Sequence, residues 1–117
     1  MTSTTEGALH GNKELAGKVA LITGASRNIG RATALALADA GAAVAVNTRA
    51  SKQDAEKVVG EVRAAGGQAE LYLADIANGK AAKGMVDAIV KRFGGIDILV
   101  LNASVPIFVI ATVIFFL

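Results

Sequence analysis

The chain has 117 residues, 53% of them apolar, with 12 basic and 10 acidic side chains and a net charge of +2. That is one domain with enough apolar residue to bury a core, which excludes a disordered protein. The charges are scattered, so a pI near 9.2 comes without the basic face that phosphate-backbone binding requires, and nucleic acid is not expected as a partner.

Zero cysteines exclude disulfides and thiolate metal sites, and the single His10 stands in a polar stretch without ligand partners, so no metal centre is expected. Residues 1–14, "MTSTTEGALHGNKE", are small and polar with no apolar period, which reads as a flexible leader. It lacks the charged start and apolar core of a secretory signal, so the expected location is the cytoplasm.

From Leu15 onward four apolar runs, "KVALIT", "AVAVNT", "AELYLA" and "IDILVL", recur with helical patterns between them. Each run is short and suits a buried strand, and the alternation with helices implies a parallel sheet. The first helix is predicted over about Ile29 to Ala40, with Ile29, Ala32, Ala36, Leu37 and Ala40 on one side and Gly41 as a left-handed stop. The second begins at "SKQD", where Ser51 can cap and Asp54 suits the positive helix end. Its Ala55, Val58, Val59 and Val62 form an apolar stripe ahead of Gly66 and Gly67. The third, about Ala81 to Phe93, uses Ala82, Met85, Val86, Ile89 and Phe93 in the same way. The fold class is therefore α/β, with a parallel sheet and right-handed crossovers.

The turn "TGASRNIG", residues 23–30, lies between the first strand and the first helix. A helix that opens directly after a strand presents unpaired N–H groups and the positive end of its dipole at the carboxyl edge of the sheet, where a pyrophosphate can be held. Gly24, Ala25 and Ser26 are small enough for phosphate to approach the backbone, and Gly30 lets the first helical turn lie close to the strand. The glycines alone are weak evidence, because many strand-to-helix turns use glycine for geometry only and the G-x-G-x-x-G spacing is absent.

Together with "LAGKVALITG" before it, "AD" at Ala74 and Asp75, and "ILVLNAS" at 98–104, this turn resembles the T-G-x-x-x-G-x-G motif and its companions in the short-chain dehydrogenases/reductases, most closely those of the 3-oxoacyl-acyl-carrier-protein reductase type. The resemblance runs from about Leu15 to Ser104, and it implies a three-layer Rossmann-type half with its strands in the order 3-2-1-4. It implies that Gly24, Ser26, Arg27, Asn28 and Ile29 surround the phosphates and ribose of a nicotinamide dinucleotide. It further implies that Asp75 and Ile76 meet the adenine, and that Asn102, Ala103 and Ser104 lie along the ribose and central sheet. Asn28 stands where the family has its middle glycine; Asn tolerates the left-handed backbone but adds a side chain where the cofactor passes. Leu101 and Ser104 are further departures, in the ribose wall.

The second strand bears on cofactor choice. An NAD-selective site usually ends this strand with Asp or Glu for the 2′-hydroxyl, whereas an arginine accommodates the 2′-phosphate of NADP. Here it ends "VNTR" with no acid before Asp54, so Arg49, supported by Arg27, favours NADP over NAD. The alternative is that both arginines are ordinary solvated residues.

The resembled family performs hydride transfer with a Tyr-x-x-x-Lys pair and an upstream serine beyond the fourth strand. The one tyrosine, Tyr72, is followed at that spacing by Ile76 and reads as a strand residue. Asp39, Asp54, Glu56 and Glu61 fall on outward helix faces. No catalytic residue is therefore assigned. Residues 105–117, "VPIFVIATVIFFL", read as an apolar tail outside the family pattern. A membrane helix needs about 20 apolar residues, reached only by adding the fourth strand, where Asp97, Asn102 and Pro106 interrupt. Membrane insertion is disfavoured against a truncated or reading-frame-altered product whose tail covers apolar surface and whose open sheet edge invites self-association or aggregation. The expected organisation is a leader (1–14), an NAD(P)-binding half-domain (15–104) and the tail (105–117). The expected function is an NADP(H)-binding fragment of an oxidoreductase, inactive alone, and the alternative is a non-catalytic scaffold acting on a partner or membrane through its tail.

Overall fold

Strand and helix alternate along the chain in the order the apolar runs predict. The computed structural model describes residues 13–25 and 28–102. They form β1 (Val19–Thr23), α1 (Asn28–Asp39), β2 (Ala43–Thr48), α2 (Lys52–Ala64), β3 (Ala69–Leu73), α3 (Gly79–Phe93) and β4 (Ile98–Leu101). All pairings are parallel and the spatial order is β3-β2-β1-β4, the predicted 3-2-1-4.

Because side chains alternate across a strand, the sheet has two apolar faces. Ile22, Val44 and Val46 pack beneath α1 and α2 with Ala34, Ala38, Val58 and Val62. Val19, Leu21, Ala43 and Ala45 pack beneath α3 with Ala82, Met85, Val86 and Ile89. This double coverage explains why β1 and β2 are buried along their whole length and read as continuous apolar runs. Among the described residues, no helix is long and apolar enough to cross a membrane.

Helix ends follow their sequence signals unevenly. Gly41 adopts φ 104°; its N–H donates to Ala38 O at 2.9 Å and that of Ala42 to Leu37 O at 3.1 Å, the paired bonds of a Schellman stop. Ser51 occupies the N-cap of α2, but its side chain makes no cap bond; instead its N–H donates to Thr48 Oγ1 at 3.3 Å. The cap that does form is Asn78, whose Oδ1 accepts the Ala81 N–H at 3.0 Å and starts α3 two residues earlier than predicted.

The predicted inward face of α1 is also corrected. Gly30, Ala34 and Ala38 are buried, whereas Ala32 and Ala36 are exposed and Ile29 is 73% exposed. The run "ATALALA" has Thr33 as its one polar residue, so its periodicity does not select a face. Contact of Gly30 with the preceding turn sets the helix rotation instead.

Candidate functional site

The carboxyl ends of the four strands bring the turn after β1, Arg49 after β2, the Ala74–Asp75 segment after β3 and Asn102 after β4 to one edge of the sheet. Ser26, Arg27, Ala103 and Ser104 lie outside the described residues, as do the predicted tail and most of the leader.

Gly24 takes φ 63° and Asn28 φ 57°, the only non-glycine among the described residues with a left-handed backbone. Asparagine accepts that conformation better than other side-chain-bearing residues, and there it turns the chain into α1. Gly30 admits no side chain: a Cβ would lie 2.3 Å from Gly24 O, 2.7 Å from Asn102 Nδ2 and 2.8 Å from Ala25 Cα. Asn102 locks the same point, because its Nδ2 donates to Gly24 O at 3.1 Å and its N–H to Thr23 Oγ1 at 3.1 Å. The turn is thereby tied to the end of β4. The N-terminus of α1 faces this edge with no acidic residue in its first turn, which favours an anion.

Arg49 is exposed. The residues before it, Asn47 and Thr48, are buried and uncharged, and the next acid, Asp54, lies inside α2. Asp75 is half-buried; its Oδ1 accepts the Ala77 N–H at 3.0 Å, which leaves the second oxygen for another donor. Ile76 is 3% exposed and packs with Ala82 and Met85 in the core under α3, so only its backbone can meet a ligand. Ile29, by contrast, stands open beside the phosphate turn.

Tyr72 belongs to β3 and packs against the α3 core. Burial, and next the charge of Glu70, raise its phenol above the ordinary value, with Arg92 opposing. Its main chain pairs with Asn47 near the carboxyl end of β3, but its side chain lies against the α3 core and not at the phosphate turn. A groove of about 550 Å³, lined by Lys13, Leu35, Asp39, Glu61, Val62 and Gln68 among others, opens at the opposite, amino edge between the ends of α1 and α2, and takes no part in this site.

Sequence reasoning missed Thr23 and Asn47, which are 0% and 2% exposed. Each is a polar residue at the carboxyl end of a fully buried strand, and that incongruity was the available signal.

A short chain dehydrogenase family model matches residues 18–113. An uncharacterised oxidoreductase of Methylorubrum extorquens is 50% identical over 79% of this chain and 37% of its own length. A 3-oxoacyl-[acyl-carrier-protein] reductase of Staphylococcus epidermidis is 48% identical over 75% of this chain and 36% of its own. Among solved structures, a short chain dehydrogenase from Burkholderia cenocepacia in complex with NADP superposes with a TM-score of 0.74 at 44% identity, covering 79% of this chain and 38% of that one. The chain thus spans little more than a third of the length of these relatives. A family match across most of the sequence, on a sheet of the expected order, means that the chain belongs to the short chain dehydrogenase family.

Proposed function

We propose that these residues form the NADP(H)-binding part of a short-chain oxidoreductase. The observation that carries this reading is the exposed Arg49 directly after β2, where a selector of the 2′-hydroxyl would be a carboxylate. The donor set suits the cofactor. The first turn of α1 faces the pyrophosphate, with Gly24, Ser26, Arg27, Asn28, Ile29 and Gly30 around it. Arg49, joined by Arg27, meets the 2′-phosphate through charge-assisted bonds. Asp75 and the Ile76 backbone meet the adenine, and Asn102, Ala103 and Ser104 lie along the ribose. Support comes from the NADP in the Burkholderia relative and from the reductase name of the Staphylococcus one.

When bound, NADPH supplies a hydride at its nicotinamide ring. The residues in hand bind and orient it, but supply no acid for a reduced carbonyl: Tyr72 packs into the core beneath α3 and has Ile76, not lysine, four residues on.

Titration calorimetry tests the binding. NADPH is expected to bind more tightly than NADH, and Arg49→Ala to narrow the gap by about 1–3 kcal/mol, the worth of a contact to a charged group. Equal affinity for the two cofactors refutes the reading. Incubation with NADPH and a panel of β-ketoacyl thioesters, ketones and quinones is expected to consume no reduced nicotinamide. Turnover that vanishes in Arg49→Glu would refute the inactivity of the chain alone.

A further inference from the structure

Thr23 and Asn47 are paired in one row across the sheet, both at the carboxyl ends of apolar strands. Thr23 holds the end of β4 through the Asn102 N–H; Asn47 holds the other side. Its Nδ2 donates to the carbonyl oxygens of Tyr72 at 3.1 Å and Ala74 at 3.2 Å. An amide nitrogen carries two hydrogens, so both are used on the two carbonyls that flank Leu73. The main-chain oxygen of Asn47 meanwhile accepts the Ala25 N–H of the phosphate turn at 3.2 Å. Next to it, Thr48 O accepts the Ala74 N–H at 3.2 Å, so Ala74 is gripped at both its N–H and its C=O. Fixing that carbonyl fixes the plane of the Ala74–Asp75 peptide, and with it the direction in which Asp75 and the Ile76 amide leave the sheet.

We propose that Asn47 is a positioning residue for the adenine end of the cofactor site: it sets the separation between the phosphate turn and the Asp75 segment, and so selects a purine with a 6-amino group. The inference rests on the NADP(H) reading above. The Asp75 oxygen not used by Ala77 accepts from a 6-amino group and repels a 6-oxo group, but only while the segment is held in place. Leucine at position 47 removes the side-chain donor from both part-buried carbonyls, and aspartate turns an acceptor toward them; either change loosens the Ala74–Asp75 peptide plane.

The test measures binding of NADPH and of its hypoxanthine analogue, in which a 6-oxo group replaces the 6-amino group. The parent chain is expected to prefer NADPH by about tenfold or more, the scale of one hydrogen bond to a charged acceptor. Asn47→Leu and Asn47→Asp are expected to melt cooperatively, to bind NADPH about tenfold more weakly, and to lose most of the preference. A variant that weakens both ligands equally, keeping their ratio, or that weakens neither, overturns the proposal. Failure of the parent chain to bind NADPH at all overturns the underlying reading, and this inference with it. If both variants fail to fold, Asn47→Ser, which keeps one donor and adds no bulk, decides: it is expected to fold and to lose part of the preference, and an unchanged preference overturns the proposal.

Discussion

Adding one methyl group at Gly30 is expected to damage this fold, while the same change at Gly60 improves it. A Cβ at position 30 meets Gly24 O at 2.3 Å and Ala25 Cα at 2.8 Å, both backbone, and Asn102 Nδ2 at 2.7 Å. Overpacking of this kind costs about 1–3 kcal/mol, and two backbone obstacles place it at the upper end. Displacing the Asn102 amide loses a further hydrogen bond worth about 1 kcal/mol, against a gain in helix propensity of at most about 1 kcal/mol. The net loss for Gly30→Ala is about 2–3 kcal/mol, which for a domain of this size lowers Tm by roughly 10–20 °C. Gly60 lies in α2 with nothing within 4 Å of its added Cβ, so Gly60→Ala keeps only the propensity gain, about 0.5–1 kcal/mol. Urea unfolding followed by far-UV circular dichroism reads both. Gly30→Ala within about 0.5 kcal/mol of the parent, the scatter of a neutral surface change, would refute the tight turn on which the site is built.

Two further outcomes follow from the same structure. At φ 57°, Asn28→Val is expected to lose about 1–2 kcal/mol, whereas Asn28→Gly holds or gains stability and binds NADPH more tightly; calorimetry and urea unfolding check this, and unchanged values in both variants would refute it. Tyr72, the single tyrosine, is expected to titrate by absorbance above its ordinary value of 10.0, because burial first and Glu70 second favour the neutral phenol. The unfolded chain then loses this proton first, so the contribution of Tyr72 to stability is complete below pH 10.0 and is lost as pH rises through the folded-state value. The same midpoint in urea as in buffer would contradict it.

Strand existence and the position of the phosphate turn were legible because each rests on local chemistry: short buried runs, helix-period stretches between them, and glycines at a strand-to-helix junction; the order of the strands came with the family resemblance. The rotation of α1 was not, because alanine and leucine fill most of that helix and part of the deciding contact, Gly30 against Asn102, joins residues far apart in sequence. The same limit hid the roles of Thr23 and Asn47, whose partners belong to neighbouring strands. The resemblance assigns Ile76 to the adenine without saying through which atoms, and packing turns its side chain into the core under α3. A motif names a position on the backbone and leaves the direction of the side chain to packing.

The pairing of β1 with β4 has a consequence for synthesis. Val19 and Asp97 hold each other through a main-chain bond at 2.8 Å and through Asp97 Oδ2 accepting the Val19 N–H at 2.8 Å, across 78 positions of chain. At translation rates of roughly 5–20 residues per second, the partner for that edge of β1 arrives roughly 4–16 s after the strand itself. During that interval the most deeply buried strand of the fold offers a bare row of amides and carbonyls to other nascent chains on the same message. Chaperone occupancy is therefore expected to rise once Thr23 has emerged from the ribosome and to fall when β4 joins the sheet.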